Sequence, residues 1–277
     1  MKNEVKTFRL FARPDEKSHK IANKIRMLNA QQATPLMESE NADLVIAIGG
    51  DGTFIYAVTQ THFSKKAIYT GIHTGTLGFM QDSCEEDIPK LFKHIRSESQ
   101  IKTRKEFIAL VKVFLEDDST IQFFALNDVV IGGKDYSKIS FAEYIHGELL
   151  QNISGCGINI STPTGDTALS ASLGGSIDFS NNFQLVCRLI APITSDVTER
   201  FLQNPIICSK IVLVVKPADN IFIKVDGIVK DIDSHLIRKV GVSMVNSSFI
   251  NKLDIMNYSK VKACRNKLLG YKDEEQV

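Results

Sequence analysis

The sequence predicts an open α/β domain followed by a mainly β domain. In the first hundred residues, apolar strand patterns alternate with helical periodicity and glycine-containing turns, which is typical of a parallel sheet flanked by helices. Beyond residue 100, short β-branched and aromatic runs are separated by turn residues, which indicates a β-rich region. We therefore divide the 277 residues into an α/β domain at 1–100 and a domain of β-sandwich type, with helical insertions, at 101–249. The segment 250–277 is expected to pack back on the first domain.

Hydrophobic periodicity predicts the elements of the first domain. Ile21, Ile25 and Leu28 share one face of a helix. Residues 44–48 form a continuous apolar run, which suits a strand buried on both faces of a parallel sheet. The predicted strands lie at 7–12, 44–48 and 67–70, and the predicted helices lie at 15–32, from Phe54 onward and at 85–96. This alternation indicates a Rossmann-like arrangement.

The second domain is predicted mainly from its β-branched and aromatic runs. The predicted strands lie at 107–116, 120–132, 138–146, 156–161, 210–216, 220–226 and 236–245. Helical insertions are predicted near 164–174 and 183–190, and a terminal helix is predicted at 260–269.

Composition excludes several classes of protein. The 33 basic and 32 acidic side chains nearly cancel, so no basic excess suggests a nucleic-acid partner. No apolar run is long enough for a membrane span, and the charged N-terminus lacks a signal-peptide core, so a cytoplasmic location is expected. Five scattered cysteines without a C-x-x-C pair indicate reduced thiols rather than a disulfide framework or a zinc cage. The histidines have no metal-ligand spacing, so no metal ligand is assigned to them.

The segment Gly49-Gly50-Asp51-Gly52-Thr53 follows a predicted buried strand and precedes a predicted helix. Glycines allow a tight turn that brings several N–H groups against an anion, and the helix adds its positive N-terminal end. The spacing is not that of a Walker A loop. A carboxylate beside a bound phosphate suits phosphoryl transfer, either holding a divalent cation or accepting a proton from an attacking hydroxyl. The plainer interpretation is a turn in which Asp51 caps the helix.

Two further segments carry polar or glycine-rich patterns. A second glycine loop, 71–79, follows the next predicted strand, and its tip is expected to lie near the first loop. On its own it is equally well a simple turn. Residues 161–169 bring four hydroxyls and a glycine to a predicted helix start, which suits either ribose and phosphate binding or helix capping.

Taken together, these segments resemble the NAD kinase family. The matching segments, in order, are Gly49 to Thr53 (G-G-D-G-T), Gly71 to Phe79 (G-x-x-x-G-x-L-G-F), Asn127-Asp128 (N-D), Ser161 to Ala168 (S-T-P-T-G-x-T-A) and Val225-Asp226-Gly227 (V-D-G). The resemblance covers roughly residues 40–230. G-G-D-G alone is shared with lipid kinases and phosphofructokinases, whereas T-P-T-G-x-T-A is much more specific.

The resemblance implies phosphorylation of the 2′-hydroxyl on the adenosine ribose of NAD, with ATP as donor and a divalent cation. It implies an active site between the two domains, Asp51 as the catalytic acid, and a homodimer or homotetramer. The cation would be held by the ATP phosphates, and Asp51 is the one candidate protein ligand for it. Nucleotide-binding residues implied by the resemblance are Gly50, Gly52, Thr53, Gly75, Leu77, Phe79, Asn127, Asp128, Cys156, Thr164, Thr167, Ala168, Leu169, Ser172 and Asp226.

Four positions depart from the family pattern. Cys156 stands where the family has the aspartate of G-D-G, and Leu169 stands where it has a tyrosine. Asp166 replaces a serine or threonine and is expected to add negative charge near an anionic ligand, and Ile228 replaces a frequent glutamine. Because the departures lie on the nucleotide-recognition side, we hypothesise altered affinity or substrate preference with the chemistry retained.

Two other functions remain open at this stage. A related G-G-D-G lipid kinase would require an apolar channel or an amphipathic membrane-facing surface, and the sequence has no amphipathic basic helix of that kind. A binding-only nucleotide sensor is favoured by the changes at positions 156, 166 and 169, and the intact Asp51 argues against it.

Overall fold

The computed structural model describes residues 5–75, 78–81, 83–96, 101–180, 182–193, 201–216, 220–254 and 259–270. The chain forms two compact units. The first unit combines Met1–Glu106 with Phe249–Val277, and the second is Phe107–Ser248. The first unit is therefore built from two separate stretches of sequence.

The first unit contains a parallel sheet. Its strands are β1 (Thr7–Ala12), β2 (Met37–Glu38), β3 (Leu44–Gly49) and β4 (Ile68–His73). They lie in the order β2-β1-β3-β4, and the strand residues from 249 onward add a further parallel partner to β4. All six residues of β3 are buried, as expected for a central strand covered on both faces. Gly49 and His73 are register partners, so β3 and β4 end side by side.

The described part of this unit contains four α-helices. They are α1 (Glu16–Ala30), α2 (Asp51–Gln60), α3 (Ile88–Arg96) and α4 (Lys260–Leu268), and a 3-10 turn at Glu85–Asp87 precedes α3. Asp15 caps α1 by accepting the Ser18 N–H, and Ile21 and Ile25 bury its apolar face. Among the described residues, no helix is both long and apolar enough to cross a membrane.

The second unit is mainly antiparallel β-structure. Its strands are β5 (Thr103–Leu115), β6 (Thr120–Ala125), β7 (Asp128–Gly133), β8 (Ile139–Ile145), β9 (Glu148–Ser161), β10 (Leu185–Pro192), β11 (Ile206–Cys208), β12 (Lys210–Val215), β13 (Ile221–Val225), β14 (Ile228–Val229) and β15 (Ile237–Leu253). The first four residues of β5 and the last five of β15 belong to the first unit. Strand β9 is central to the sheet of this unit, since β7, β8 and β10 all pair with it.

The helix predicted near 183–190 was wrong, because these residues form strand β10. Val186 and Cys187 pair with β9 on one edge and with β11 on the other. Hydrogen bonding along both edges stabilises the strand, and this outweighs the helical spacing of its apolar residues. The helix predicted near 164–174 is shorter than expected. It consists of a π-helical turn at Asp166–Ser170 followed by two helical residues, 171 and 172. The predicted run 120–132 is two strands, β6 and β7, separated by Leu126 and Asn127.

Each unit has its own hydrophobic core. In the first, Ile25, Ile46, Ile48 and Ile88 are almost fully buried between the helices and the sheet. In the second, the core lies against β7, β9, β12 and β13.

Candidate active site

Asp51 is the first residue of helix α2 and follows the end of buried strand β3. Gly50 is the helix N-cap and offers no side-chain hydrogen bond to the first turn. The N–H groups and positive end of α2 are therefore available to an anion. A Cβ added at Gly50 or Gly52 would meet no described atom within 4 Å, so there is open space at this loop. The loop has the geometry of a phosphate cradle with a carboxylate at its rim.

The Asp51 carboxylate is fixed by the neighbouring loop. The Phe79 N–H donates to its Oδ2 at 3.1 Å, and the Met80 N–H donates to its Oδ1 at 2.9 Å. This contact follows from the sheet, because β3 and β4 end side by side. The two glycine loops thus meet at Asp51, as their positions after neighbouring strands suggested. Gly75 is exposed, and Leu77 lies outside the described residues.

Gly78 approaches Asp51 more closely than any side chain allows. A Cβ at this position would lie 2.3 Å from Asp51 Oδ1 and 2.2 Å from Gln81 Oε1. Both atoms belong to side chains, so the fold can yield, but Asp51 must then leave its two N–H donors. The absence of a side chain at position 78 therefore keeps the carboxylate in place.

Replacing Gly78 by Ala is expected to lower kcat by about 10-fold or more, because a 1 Å misplacement of a reacting group can cost about 100-fold. Thermal unfolding should change less than kcat, since both clashing atoms lie at the ends of side chains, one on the partly exposed Asp51 and the other on the buried Gln81. Steady-state kinetics and a melting curve on the same preparation check both statements. An unchanged kcat would mean that the position of Asp51 is not critical.

A second polar cluster lies within the second unit, where three segments meet. The carboxylate of Asp226 accepts the backbone N–H groups of Leu126 (2.8 Å), Asn127 (2.7 Å) and Asp128 (3.2 Å). Asp226 and Gly227 form the two-residue turn between β13 and β14, both with positive φ. The V-D-G segment therefore holds the N-D segment by its backbone.

The T-P-T-G segment is joined to the same place. Thr162 Oγ1 donates to the carbonyl of Leu126 at 2.5 Å, and the Thr162 N–H donates to the carbonyl of Asn127 at 2.9 Å. Gly165 packs so tightly that a Cβ there would lie 2.0 Å from the Asn127 carbonyl oxygen. Segments distant in sequence thus form one small, hydrogen-bonded site in the second unit.

Asp128 is the buried acid of this cluster. It is register partner to Ser161, and its Oδ2 accepts the Asn159 Nδ2–H at 3.0 Å. Burial raises the pKa of Asp128, while the Asn159 hydrogen bond and the charge of Lys224 act in the opposite direction. Such a carboxylate can accept hydrogen bonds from sugar hydroxyls.

The other predicted binding residues differ in exposure. Ala168, Leu169 and Ser172 are exposed, Thr53, Phe79, Cys156 and Thr164 are half-buried, and Thr167 is buried. The Sγ of Cys156 donates to the Tyr136 carbonyl at 3.3 Å. Asp166 is fully buried and its Oδ2 accepts the Asp178 N–H at 2.7 Å. The Asp166 carboxylate thus also holds the following loop, and its expected negative charge near an anionic ligand stays a prediction.

Comparison with known proteins identifies the family. A model of the ATP-NAD kinase N-terminal domain matches residues 1–100. An NAD kinase of Lactobacillus delbrueckii subsp. bulgaricus is 34% identical over 197 residues, which cover 69% of this chain and 73% of that protein. This chain belongs to the NAD kinase family. An NAD kinase of Staphylococcus epidermidis is 29% identical over 205 residues, covering 73% of this chain and 75% of that protein.

Solved structures confirm the fold. A yeast NADH kinase complexed with NADH superposes with a TM-score of 0.83 at 19% identity, covering 98% of this chain and 89% of that one. An NAD kinase from Archaeoglobus fulgidus in complex with ATP gives a TM-score of 0.70 at 18% identity, covering 95% and 97%. The predicted combination of an α/β domain and a β-rich domain is thus the architecture of NAD and NADH kinases.

Sequence reasoning missed one charged group beside Asp51. Lys267, near the end of α4, places its Nζ 3.1 Å from Asp51 Oδ2 and 4.5 Å from the centre of the Phe79 ring. No motif could have revealed it, since 216 residues separate the pair. Its place next to the G-G-D-G-T loop appears only in three dimensions.

Asp226 is the group in the second cluster whose protonation is expected to change near neutral pH. Burial raises its pKa to about 6, against the effect of the three backbone hydrogen bonds. Below that pH a protonated carboxyl accepts fewer of these bonds, so the turn at 126–128 loosens. Because the folded state binds this proton more tightly than the unfolded state, protonation between about pH 4 and 6 favours folding and does not itself cause unfolding.

We therefore expect the KM for the nucleotide acceptor to rise as pH falls through about 6, with the protein still folded. Initial rates from pH 5 to 8, together with circular dichroism, check this. Asp226→Asn should raise KM across the whole range and remove the step near pH 6. A step of the same size in the variant would assign it to another group.

Proposed function

We propose that this protein transfers the γ-phosphoryl group of ATP to the 2′-hydroxyl of the adenosine ribose of NAD, giving NADP and ADP. The observation that carries the proposal is the carboxylate of Asp51, held by two backbone N–H groups at the meeting point of two glycine loops. Membership of the NAD kinase family supports the same substrates.

In the proposed reaction the 2′-oxygen forms a bond to the γ-phosphorus while the bond from that phosphorus to the β–γ bridging oxygen breaks. ADP carries away the electron pair, and the hydroxyl proton passes to Asp51. Such transfers depend on positioning and charge neutralisation rather than on a strong base. The N–H groups at the start of α2, with Gly50 and Gly52 giving open space, would bind phosphate oxygens.

A divalent cation, Mg²⁺ or Mn²⁺, is proposed to enter with ATP and neutralise charge on its phosphates. Carboxylate oxygens suit Mg²⁺ and Mn²⁺, and Asp51 places one carboxylate at the loop. The cation would thus be held mainly by phosphate oxygens, with Asp51 as the one carboxylate at the loop.

The second unit is proposed to recognise the dinucleotide. Asn127 and Asp128 would bind ribose hydroxyls, and Thr164, Thr167 and Ala168 would line the adenosine pocket. Support comes from the hydrogen bonds that join Asn127 and Asp128 to Asp226 of the V-D-G segment, and Asn127 to Thr162 of the T-P-T-G segment. We also propose a cytoplasmic homodimer or homotetramer, as the family resemblance implies.

The direct test is NADP formation by the purified protein from NAD, ATP and Mg²⁺, read through an NADP-specific dehydrogenase. Product that depends on both ATP and the cation is expected. NAD binding measured by calorimetry without any product would overturn the proposal in favour of a binding-only protein. Phosphorylation of a lipid alcohol in its place would identify a different kinase.

The departures from the family pattern give a further prediction. Leu169 is 40% exposed, so a tyrosine there is free to stack on a base, and Leu169→Tyr is expected to lower KM for NAD by about fivefold, from about 1 kcal/mol of stacking. Cys156→Asp should give no such gain, because its carboxylate would replace a thiol that donates to the Tyr136 carbonyl. Steady-state KM values for both variants decide this, and equal gains would contradict it.

A further inference from the structure

Asp51 and Lys267 form an ion pair at the meeting point of the glycine loops. The Lys267 ammonium lies 3.1 Å from Asp51 Oδ2, the oxygen that also accepts the Phe79 N–H, and 4.5 Å from the centre of the Phe79 ring. Asp51 Oδ1 is held by the Met80 N–H. A lysine from the far end of the sequence therefore completes the set of donors around this carboxylate.

The pair contributes little to stability. The side chains are 35% and 26% exposed, for Lys267 and Asp51 respectively. Ion pairs in such surroundings contribute about 0–1 kcal/mol to folding. If stability were the only role of Lys267, its removal would scarcely be noticed.

The chemistry of the loop gives the ammonium a more specific use. The start of α2 and its glycines favour an anion, whereas the ionised Asp51 repels one. A fixed positive charge on the side of the carboxylate offsets that repulsion and leaves Asp51 able to hold one orientation. The Phe79 ring gives the ammonium a second contact, so its position does not depend on Asp51 alone.

We propose that Lys267 is a positioning residue for phosphoryl transfer, which acts by orienting and partly neutralising the carboxylate of Asp51. This inference rests on the proposed function, since Asp51 must be the group that receives the hydroxyl proton. It assigns to helix α4 a role in the reaction, whereas none of the motifs in the sequence extends beyond residue 227.

Four proteins test the assignment: wild type, Lys267→Met, Lys267→Arg and Lys262→Met. Lys262 is the matched control, because it is an exposed lysine of the same helix that is separated from Lys267 by about 140° around the helix axis. Lys267→Met is expected to lower kcat by about 10- to 100-fold, less than the roughly 10²- to 10³-fold loss of a donor that contacts the reacting atoms, because Lys267 acts through Asp51. The KM for NAD should stay within about threefold, as for an interaction made mainly in the transition state. Lys267→Arg should recover most of the loss, and Lys262→Met should match wild type.

The outcomes separate the inference from the proposed function. A wild type without NADP formation would remove the proposed function itself. An active wild type with a Lys267→Met kcat within twofold of it would overturn only the role of Lys267. Equal impairment of the Met and Arg variants, or a melting temperature lowered by more than about 4 °C in both, would show that the residue serves only to dock the helix.

Discussion

Asp51→Asn is expected to lower kcat for NADP formation by about 10²- to 10⁴-fold, the range that a positioned general base contributes. The amide cannot accept the hydroxyl proton, and its NH₂ group would face either a backbone N–H or the Lys267 ammonium. Shape is nearly conserved, so NAD affinity measured by calorimetry should change little. The change is therefore expected in kcat and not in binding.

The control for this variant is Glu16→Gln, which removes an acid from the first turn of α1 rather than α2. Glu16 is exposed and pairs with Lys20, so kinetics and melting temperature should match those of wild type. A kcat for Asp51→Asn within tenfold of wild type would reject Asp51 as the proton acceptor. The carboxylate would then have only a structural part in joining the two loops.

Gly165→Ala is expected to produce the other large effect, a fall in kcat/KM for NAD of about 100-fold or more. The new methyl carbon would lie 2.0 Å from the Asn127 carbonyl oxygen and 2.6 Å from its carbon. Both are backbone atoms, so the turn at 126–128 must move. Overpacking of this kind costs about 1–3 kcal/mol in stability, and moving Asn127 and Asp128 adds the loss of ligand contacts.

Gly241→Ala is the matched control, because its added carbon would have ordinary contacts, the nearest at 3.7 Å. Denaturant unfolding and steady-state kinetics on both variants check the comparison. A Gly165→Ala protein with wild-type KM for NAD would contradict the assignment of this cluster to nucleotide recognition. If the Gly165→Ala protein fails to fold, the Asp226→Asn variant provides an independent measurement. Its lost hydrogen bonds should speed hydrogen exchange of the 126–128 amides.

The sequence predicted correctly those elements whose conformation is determined by their own residues. Residues 44–48 are all apolar and are followed by two glycines, and they form the buried central strand of the first unit. Segment 183–190 was misassigned because Leu185, Val186, Leu189 and Ile190 also fit helical spacing. What decides its conformation is hydrogen bonding to β9 and β11, which sequence spacing does not show.

The candidate site was predictable only in part for the same reason. The Asp51 loop is continuous in sequence and was found as a motif. The cluster around Asp226 depends on contacts between residues about 100 positions apart in the sequence. The motifs identified the residues of this cluster but not the hydrogen bonds that join them. Lys267 and Asp51 are separated by 216 residues, so only the folded chain brings them together.

The split origin of the first unit has a consequence for protein synthesis. Residues 107–248 form one uninterrupted unit, so they can acquire their structure while the ribosome is still translating. The other unit cannot be completed at that stage, because β4 gains its outer partner from residues 251–252 and the ammonium reaches Asp51 from residue 267. A nascent chain halted shortly before that point would carry the segments proposed for dinucleotide recognition without the completed surroundings of Asp51. Asp51 would then acquire its ammonium partner only after residue 267 has been synthesised.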